Sequence, residues 1–294
     1  MSVRAPTHAG SWYEADAATL SAQLTGWLSD AQATCGRARA IIAPHAGYSY
    51  SGPTAAWAYR HIQTEGVQRV FLLGPSHNLY TPKCLLSTCV AYMTPLGGLA
   101  IDQEVYTALR GTGQFDYMQL KVDEREHSLE MHLPYIAHIM GDQKYTLVPI
   151  MVGALSEEAE ARYGELLAPY LADPANLFVI SSDFCHWGER FGFKYHDGRH
   201  GEIYQSIEAL DHEGMALIEA QDPAGFAQYL REYNNTICGR HPIAVLLNAL
   251  KALTSVAPQA PAHSVKFVRY AQSSRCRRPD DSSVSYASAI VWAC

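Results

Sequence analysis

Short apolar runs alternate with helical stretches along this chain, and no other sequence feature constrains the fold as strongly. Three runs are almost entirely apolar, which is typical of strands buried on both faces of a sheet: RAIIA at 39–43, VFLL at 70–73 and LFVIS at 177–181. The remaining pattern predicts helices at 53–62, 156–171, 202–220, 223–233 and 242–253, and two more strands at 265–270 and 284–291. Strands separated by helices form parallel or mixed sheets. We therefore predict an α/β fold with a mostly parallel or mixed central sheet flanked by helices.

Composition indicates one globular unit. Hydrophobic residues make up 48% of the 294 residues and charged residues 17%, which excludes a disordered chain. The only Pro/Ala-rich connector, APQAPA at 257–262, is interpreted as a loop before a strand. A single domain covering residues 1–294 is therefore predicted. The net charge of -7 argues against a nucleic-acid partner.

The cysteines indicate a reducing compartment. Seven cysteines are dispersed, without a CxxC pair, as expected for free thiols. The first residues contain no apolar signal segment, and no stretch approaches the roughly 18 apolar residues of a membrane span. We expect the cytoplasm as the location, with the nucleus as a second one, and no membrane span. Five cysteines receive no predicted role: Cys35, Cys84, Cys89, Cys276 and Cys294.

Metal-binding side chains follow each of the three buried runs. His45 follows the first run, His77 the second, and Asp183, Cys185 and His186 the third. Ligands of open α/β sheets gather at the carboxyl ends of the strands, so these side chains are expected to share one site. Neutral imidazole binds iron, copper and zinc. The alternative for each histidine is a purely structural role at a strand end.

A further candidate ligand precedes the helix predicted at 242. Cys238 lies in NTICGRHP, where a helix dipole is expected to lower the pKa of its thiol and favour a metal-binding thiolate. Its spacing to His241 is only a weak zinc signal, and a buried, inert cysteine is the alternative. The segment EHSLEMHLP at 126–134 lacks the HExxH spacing of zinc proteases. It is interpreted either as support for the pocket or as a solvated helix start.

The motifs together resemble those of a known family. HAGSWY, IIAPHAGYSYSG, LLGPSHN, EHSLEMHLPY, SSDFCHWG, NTICGRHPI, YAQSSRC and DSSVSYA follow one another between residues 8 and 287. In this order they resemble the Memo family, named for a mediator of receptor-driven cell motility. The resemblance covers nearly the whole chain.

The resemblance implies a fold similar to that of the class III non-haem iron extradiol dioxygenases, the LigB-like group. It implies metal ligands at His45, His77 and Cys238, with iron or copper as the metal. His186 is similar to an acid/base histidine of the dioxygenases, and Asp183 would line the same pocket as a second catalytic residue. Metal-dependent redox chemistry is the activity that this resemblance implies.

One position departs from the dioxygenases. Their metal triad ends in a glutamate, whereas the corresponding residue here is Cys238, a softer ligand that shifts preference towards copper or zinc. Extradiol ring cleavage is therefore not the expected reaction, and an oxidoreductase of another kind is the enzyme hypothesis.

Two other functions stay open. In the first, the chain is an adaptor whose dioxygenase-like cleft binds phosphotyrosine peptides of receptor tyrosine kinases through Trp12, Tyr50 and Arg240. In the second, Cys238 is the nucleophile of a hydrolase with His186 or His241 as its base. The aromatic residues have an alternative role in ordinary core packing.

Overall fold

Alternating strands and helices fill most of the computed structural model, which describes residues 2–259 and 261–294. Ala260, inside the connector predicted at 257–262, lies outside the described residues. The strands, numbered along the chain, are β1 Ser2–Arg4, β2 Ala38–Ala43, β3 Arg69–Pro75, β4 Cys84–Ser87, β5 Cys89–Thr94, β6 Gly97–Ala100, β7 Asp116–Met118, β8 Thr146–Val152, β9 Asn176–Ser181, β10 His186–Trp187, β11 His263–Gln272 and β12 Ser283–Ala293. The α-helices are α1 Ala17–Asp30, α2 Tyr48–Tyr59, α3 Gln103–Gly111, α4 Leu120–Arg125, α5 His127–Glu130, α6 Leu133–Met140, α7 Glu157–Ala172, α8 Ile203–Glu219, α9 Pro223–Tyr233 and α10 Arg240–Val256.

The central sheet is mixed. Its strands run in the order β10, β12, β2, β9, β3, β8, β4, β7, with β11 paired to β12. Strands β2, β9, β3 and β8 are parallel, whereas β12 and β4 run antiparallel to their neighbours β2 and β8. The short strands β1, β5 and β6 form a separate sheet. The predicted α/β class with a mixed sheet is confirmed.

The parallel core is as apolar as its sequence predicts. All six residues of β9 are buried, as are the last six of β3 and the last four of β2. Helices α7 and α10 pack on each other beside this sheet because both carry an apolar stripe facing it. The carboxyl ends of β2, β9 and β3 therefore lie side by side at one edge of the sheet.

Two predicted helix starts are wrong, and both errors concern the site. Helix α2 begins at Tyr48 rather than at 53, because buried Tyr48 packs into the core and Pro53 is accommodated inside the helix. Helix α10 begins at Arg240 rather than at 242. Among residues 2–259 and 261–294, no helix combines the length and the apolar character needed to cross a membrane.

Candidate metal centre

Three imidazole rings meet at the carboxyl edge of the sheet. His45 follows β2, His77 follows β3, and His127 is the first residue of the short helix α5. Their ring centroids are 5.2 Å apart for His45 and His77, 5.3 Å for His45 and His127, and 4.4 Å for His77 and His127. One nitrogen of each ring lies within 4.8 Å of those of the other two. The cluster is therefore compact enough to share one metal ion.

Hydrogen bonds fix the tautomer of His45. The Ser181 hydroxyl donates its single proton to the carbonyl of Ser128, at 2.7 Å. The Ser181 oxygen must therefore accept from Nδ1–H of His45, at 2.6 Å, and this leaves the lone pair on Nε2. Burial also lowers the pKa of His45 well below its usual value, so the ring is neutral. A neutral imidazole with its lone pair on Nε2 is the form that binds a metal.

His77 is oriented by a carboxylate. Both oxygens of buried Glu126 accept from this residue, one from its backbone N–H at 2.6 Å and one from Nδ1–H at 2.8 Å. Burial acts to lower the pKa of His77, but its hydrogen bonds to Cys238 and Glu126 outweigh burial and raise the pKa to about 10. Although burial acts to raise it, the hydrogen bond from His77 holds the pKa of Glu126 at about 2. This environment favours a positive charge at Nε2, which a metal ion can supply in place of a proton.

The Cys238 sulfur faces the same nitrogen atoms. Sγ lies 3.2 Å from Nε2 of His45, and the backbone N–H of Asp183 donates to it at 3.2 Å. Cys238 precedes α10, as predicted, although by two residues and not four, and its pKa is raised and not lowered. Burial is the largest influence on the thiol and outweighs the hydrogen bond with His77. Two imidazole nitrogens and one sulfur form a donor set that suits iron, copper or zinc.

His186 and Asp183 complete the inner wall. Among the described residues, the hydrogen-bond partners of His186 Nδ1 are two carbonyl oxygens, at 2.9 Å to Phe184 and 3.1 Å to Thr236, so Nδ1 carries the proton and Nε2 is left as an acceptor. Asp183 accepts the backbone N–H of His45 at 2.9 Å, and burial raises the pKa of its carboxyl group. The pair therefore places an imidazole acceptor and a carboxyl group of raised pKa beside the cluster.

A pocket of about 840 Å³ opens above these groups. Trp12 and Tyr50 lie in its wall and are 37% and 63% exposed. Its lining also contains Arg190 and Phe191, which were not among the predicted site residues. They belong to a short 3₁₀ helix, Glu189–Phe191, whose position depends on the path of the chain after β10, and no local motif indicates it.

Arg240 lies elsewhere. It lines a pocket of about 610 Å³ with Glu160 and His241, and a smaller one of about 250 Å³ that also reaches His77 and Cys238. It is not among the residues that line the pocket of Trp12 and Tyr50. The structure thus separates Arg240 from the two aromatic residues with which it was grouped.

The EHSLEMHLP segment supports the pocket in part and is not a solvated helix start, because most of its side chains are buried. His127 joins the cluster, whereas His132 is buried in the core, where its Nδ1 contacts the Tyr59 hydroxyl at 2.8 Å. Burial, the largest influence, and the neighbouring His77 lower the pKa of His127 to about 4. The position of His127, one residue after the glutamate that holds His77, is the signal that could have identified it.

A buried ion-pair network holds the N-terminal segment against the cluster. Arg4 is fully buried and pairs with Asp123 at 3.0 Å and with Glu130 at 2.7 Å. Glu130 also accepts the backbone N–H of His8 at 2.8 Å. These contacts bring the ring of Trp12 to 4.6 Å from that of His127.

The fold and the site define an α/β protein with a histidine and cysteine pocket at the carboxyl edge of its sheet. A family model described as "Memo-like protein" matches residues 4–290. The chain therefore belongs to the Memo family, and the predicted resemblance is confirmed.

Curated relatives match along almost the whole chain. It is 55% identical to "Protein MEMO1" of Danio rerio over 99% of this chain and 98% of the relative. It is 54% identical to the Homo sapiens protein of the same name over 98% and 97%, and 48% identical to "Protein memo-1 homolog" of Caenorhabditis elegans over 98% and 82%. The solved structure of an uncharacterized protein from Escherichia coli K12 has a similar fold, with a TM-score of 0.50 at 12% identity, covering 84% of this chain and 98% of that one.

Proposed function

We propose that this chain, as one Memo-like domain spanning residues 1–294, binds iron or copper through His45, His77 and Cys238. One observation carries the proposal. Ser181 and Glu126 hold the Nδ1–H groups of His45 and His77, which leaves Nε2 of each ring as the atom available to a metal. The Cys238 sulfur lies 3.2 Å from Nε2 of His45, and on His77, whose pKa is raised to about 10, the metal would replace the Nε2 proton. Preorganised donors lower the ordering cost of metal binding.

The surrounding residues fit metal-dependent redox chemistry. Either metal, when bound, would supply one-electron redox chemistry at the pocket. His186 would accept a substrate proton at Nε2, because its Nδ1 proton is held by two carbonyl groups. The raised pKa of Asp183, caused by burial, keeps a proton on that carboxyl group at higher pH and suits a general acid. Trp12 and Tyr50 would cover the bound substrate and exclude water.

For the cellular role we propose receptor tyrosine kinase signalling that controls cell motility. The support is family membership together with 54% identity to the human protein over 98% of this chain. Phosphorylated receptor peptides and signalling proteins are the proposed partners. The cytoplasm, and secondarily the nucleus, are the proposed locations.

A second candidate is a phosphotyrosine-peptide adaptor with a non-catalytic cleft. Arg190 favours it, because this guanidinium lines the pocket beside the Phe191 ring, at 4.5 Å, and forms no ion pair with any described residue. The adaptor would therefore bind phosphate through Arg190 and not through Arg240. A peptide titration with Arg190→Gln, against Arg240→Gln as the matched control, tests this. Equal affinity for phosphorylated and unphosphorylated peptide excludes the adaptor.

Metal content tests the first proposal. The protein is purified anaerobically, loaded with Fe(II) or Cu(I), desalted and measured by elemental analysis. We expect one metal per chain in the wild type and in the control variant His138→Ala. His138 is a suitable control because its imidazole contacts Ser21 and Thr25. We expect little or none in His45→Ala and Cys238→Ser. Full occupancy in both site variants would refute the ligand assignment.

A further inference from the structure

Four buried tyrosines form a continuous row of rings behind the pocket. This tyrosine row consists of Tyr13, Tyr48, Tyr135 and Tyr59, each at most 5% exposed. Successive ring centroids are 5.5, 5.6 and 4.5 Å apart, and the last two rings are stacked with an interplanar angle of 8°. Tyr48 and Tyr59 stand eleven residues apart in α2, about three turns and ~16 Å along one face of the helix. Tyr135 from α6 lies between them and closes the gap.

The row begins at the pocket wall. Tyr13 directly follows Trp12, whose ring lies 4.6 Å from that of His127 in the candidate metal centre. The backbone N–H of Tyr48 donates to the carbonyl of Trp12 at 2.9 Å, which fixes the two segments together. Aromatic rings therefore extend from His127 to Trp12 and from Tyr13 into the core, and the peptide bond between Trp12 and Tyr13 joins the two groups.

The far end of the row is a tyrosine–histidine pair. The Tyr59 hydroxyl lies 2.8 Å from Nδ1 of His132, whose Nε2 is buried without a partner among the described residues. If Nδ1 carried the proton, two buried groups would lack a partner: the Tyr59 O–H and the Nε2 lone pair. If Tyr59 donates to Nδ1, only the N–H at Nε2 lacks one. Because unpaired buried polar groups are costly, the arrangement in which Tyr59 donates to Nδ1 is favoured. The phenol proton thus points at a nitrogen base.

The two middle tyrosines differ from Tyr59 in this respect. Tyr48 donates its hydroxyl proton to the carbonyl of Met131, and Tyr135 donates to the carbonyl of Gly52, each at 2.7 Å. A peptide carbonyl is too weak a base to keep a phenol proton. These two rings can pass an electron but cannot retain a neutral radical.

Tyr13 has a base, but that base is already engaged. Its hydroxyl donates to Glu130 at 2.8 Å, and the same carboxylate accepts from Arg4 and from His8. Protonating it would break a buried ion pair, which is costly. His132 has no such engagement, so an oxidising equivalent that enters the row is most stable at the far end.

We propose that Tyr59 is a redox-active tyrosine, and that the tyrosine row carries oxidising equivalents to it from the pocket. The inference rests on the redox chemistry proposed above, and the oxidant is a peroxide-derived radical formed in the pocket. One electron moves from Tyr59 through the row to that radical, reducing a hydroxyl radical to hydroxide. The Tyr59 O–H bond breaks, its proton binds Nδ1 of His132, and the products are a neutral phenoxyl radical and an imidazolium.

The buried imidazole is basic enough for this step. Burial lowers the pKa of His132 to about 3. The radical cation of a phenol is nevertheless a far stronger acid than such an imidazolium, so the proton moves as the electron leaves. The row would protect the metal-binding histidines by removing the oxidising equivalent from them.

Flash oxidation of the metal-free protein tests the proposal. Photogenerated tris(bipyridine)ruthenium(III) serves as the one-electron oxidant, and freeze-quenched samples are measured by high-field electron paramagnetic resonance and proton double resonance. We expect a phenoxyl radical with an exchangeable hydrogen-bond proton in the wild type. Tyr59→Phe should lose this component, and Tyr106→Phe should keep it, since Tyr106 is an equally buried tyrosine that donates to the carbonyl of Pro149.

A second variant applies if Tyr59→Phe does not fold. In His132→Asn a carbonyl oxygen replaces the nitrogen base, so the exchangeable-proton coupling should change and the radical lifetime should fall by about fivefold or more, the effect of one net hydrogen bond. An unchanged spectrum in Tyr59→Phe, or an unchanged coupling and lifetime in His132→Asn, would overturn the proposal. Because the oxidised protein is metal-free, the Tyr59 signal does not depend on metal binding, and the metal-content measurement above tests that proposal separately.

Discussion

Replacing Glu126 by glutamine should weaken metal binding without any change to a metal ligand. The buried carboxylate accepts three N–H groups: two from His77, at 2.6 and 2.8 Å, and the backbone N–H of Ser128 at 3.0 Å. A glutamine has one acceptor oxygen, and its NH₂ group must face at least one of these donors. If NH₂ faces Nδ1, the imidazole proton moves to Nε2, where it blocks the metal.

The magnitude follows from the hydrogen bonds that the substitution removes. Changing a residue that orients a metal-binding histidine weakens affinity by about 10- to 100-fold, or about 1.4–2.8 kcal/mol. Loss of one hydrogen bond to a buried charge should lower the free energy of unfolding by about 2 kcal/mol. Affinity is measured by competition with a chromophoric chelator for Fe(II) or Cu(I), and stability by urea unfolding.

The matched control for this prediction is Glu124→Gln. Glu124 lies on the short helix α4, which ends one residue before Glu126, but it accepts the backbone N–H of Ala5 at 3.1 Å and does not contact His77. The dissociation constant of Glu124→Gln for the metal should equal that of the wild type. A natively folded Glu126→Gln protein that also binds metal with wild-type affinity would refute the reasoning.

Three further predictions follow from single contacts. Ser181→Ala removes the oxygen that fixes the imidazole tautomer after β2, and metal affinity in the same competition assay should fall by about tenfold. His132 has a folded-state pKa of about 3, below its usual 6.5, so it makes the protein less stable as the pH falls from 6.5 towards 3. Urea unfolding between pH 7 and pH 5 should therefore show a shallower loss of stability in His132→Asn than in the wild type, by up to about 1.4 kcal/mol per pH unit. Gly52→Ala would place a Cβ 2.4 Å from Trp27 and should lower the free energy of unfolding by about 1–3 kcal/mol. Gly26→Ala, in open space on α1, should raise the free energy of unfolding by about 0.5–1 kcal/mol. Equal thermal unfolding temperatures of the two variants would contradict this contrast.

The sequence contains enough information to predict the architecture but not every strand. The buried strands β2, β3 and β9 were predicted because each is a continuous apolar run ending in glycine, proline or a polar residue. Strand β8 was missed, since Pro149 interrupts its apolar run and proline is unusual in a central strand. Its position between β3 and β4 depends on long-range pairing that no local pattern encodes.

The residues of the candidate site were likewise only partly predictable from the sequence. His45, His77 and Asp183 could be predicted to meet because parallel strands place their carboxyl ends at one edge. The contributions of Ser181 and Arg190 could not be predicted. The role of Ser181 depends on the tautomer of His45, and the position of Arg190 depends on how the 3₁₀ helix after β10 packs against the pocket. The direction of the Cys238 pKa was predicted wrongly because burial, which outweighs the helix dipole, is not visible in the local sequence.

X-ray absorption at the metal edge tests the central claim most directly, because it counts the ligand atoms. Protein loaded with one Fe(II) or Cu(I) per chain is compared with loaded Cys238→Ser and His127→Ala. We predict one sulfur and two imidazole scatterers in the wild type, no sulfur in Cys238→Ser, and an unchanged spectrum in His127→Ala. Three imidazoles without sulfur in the wild type would contradict the assignment and place the metal on His45, His77 and His127 instead.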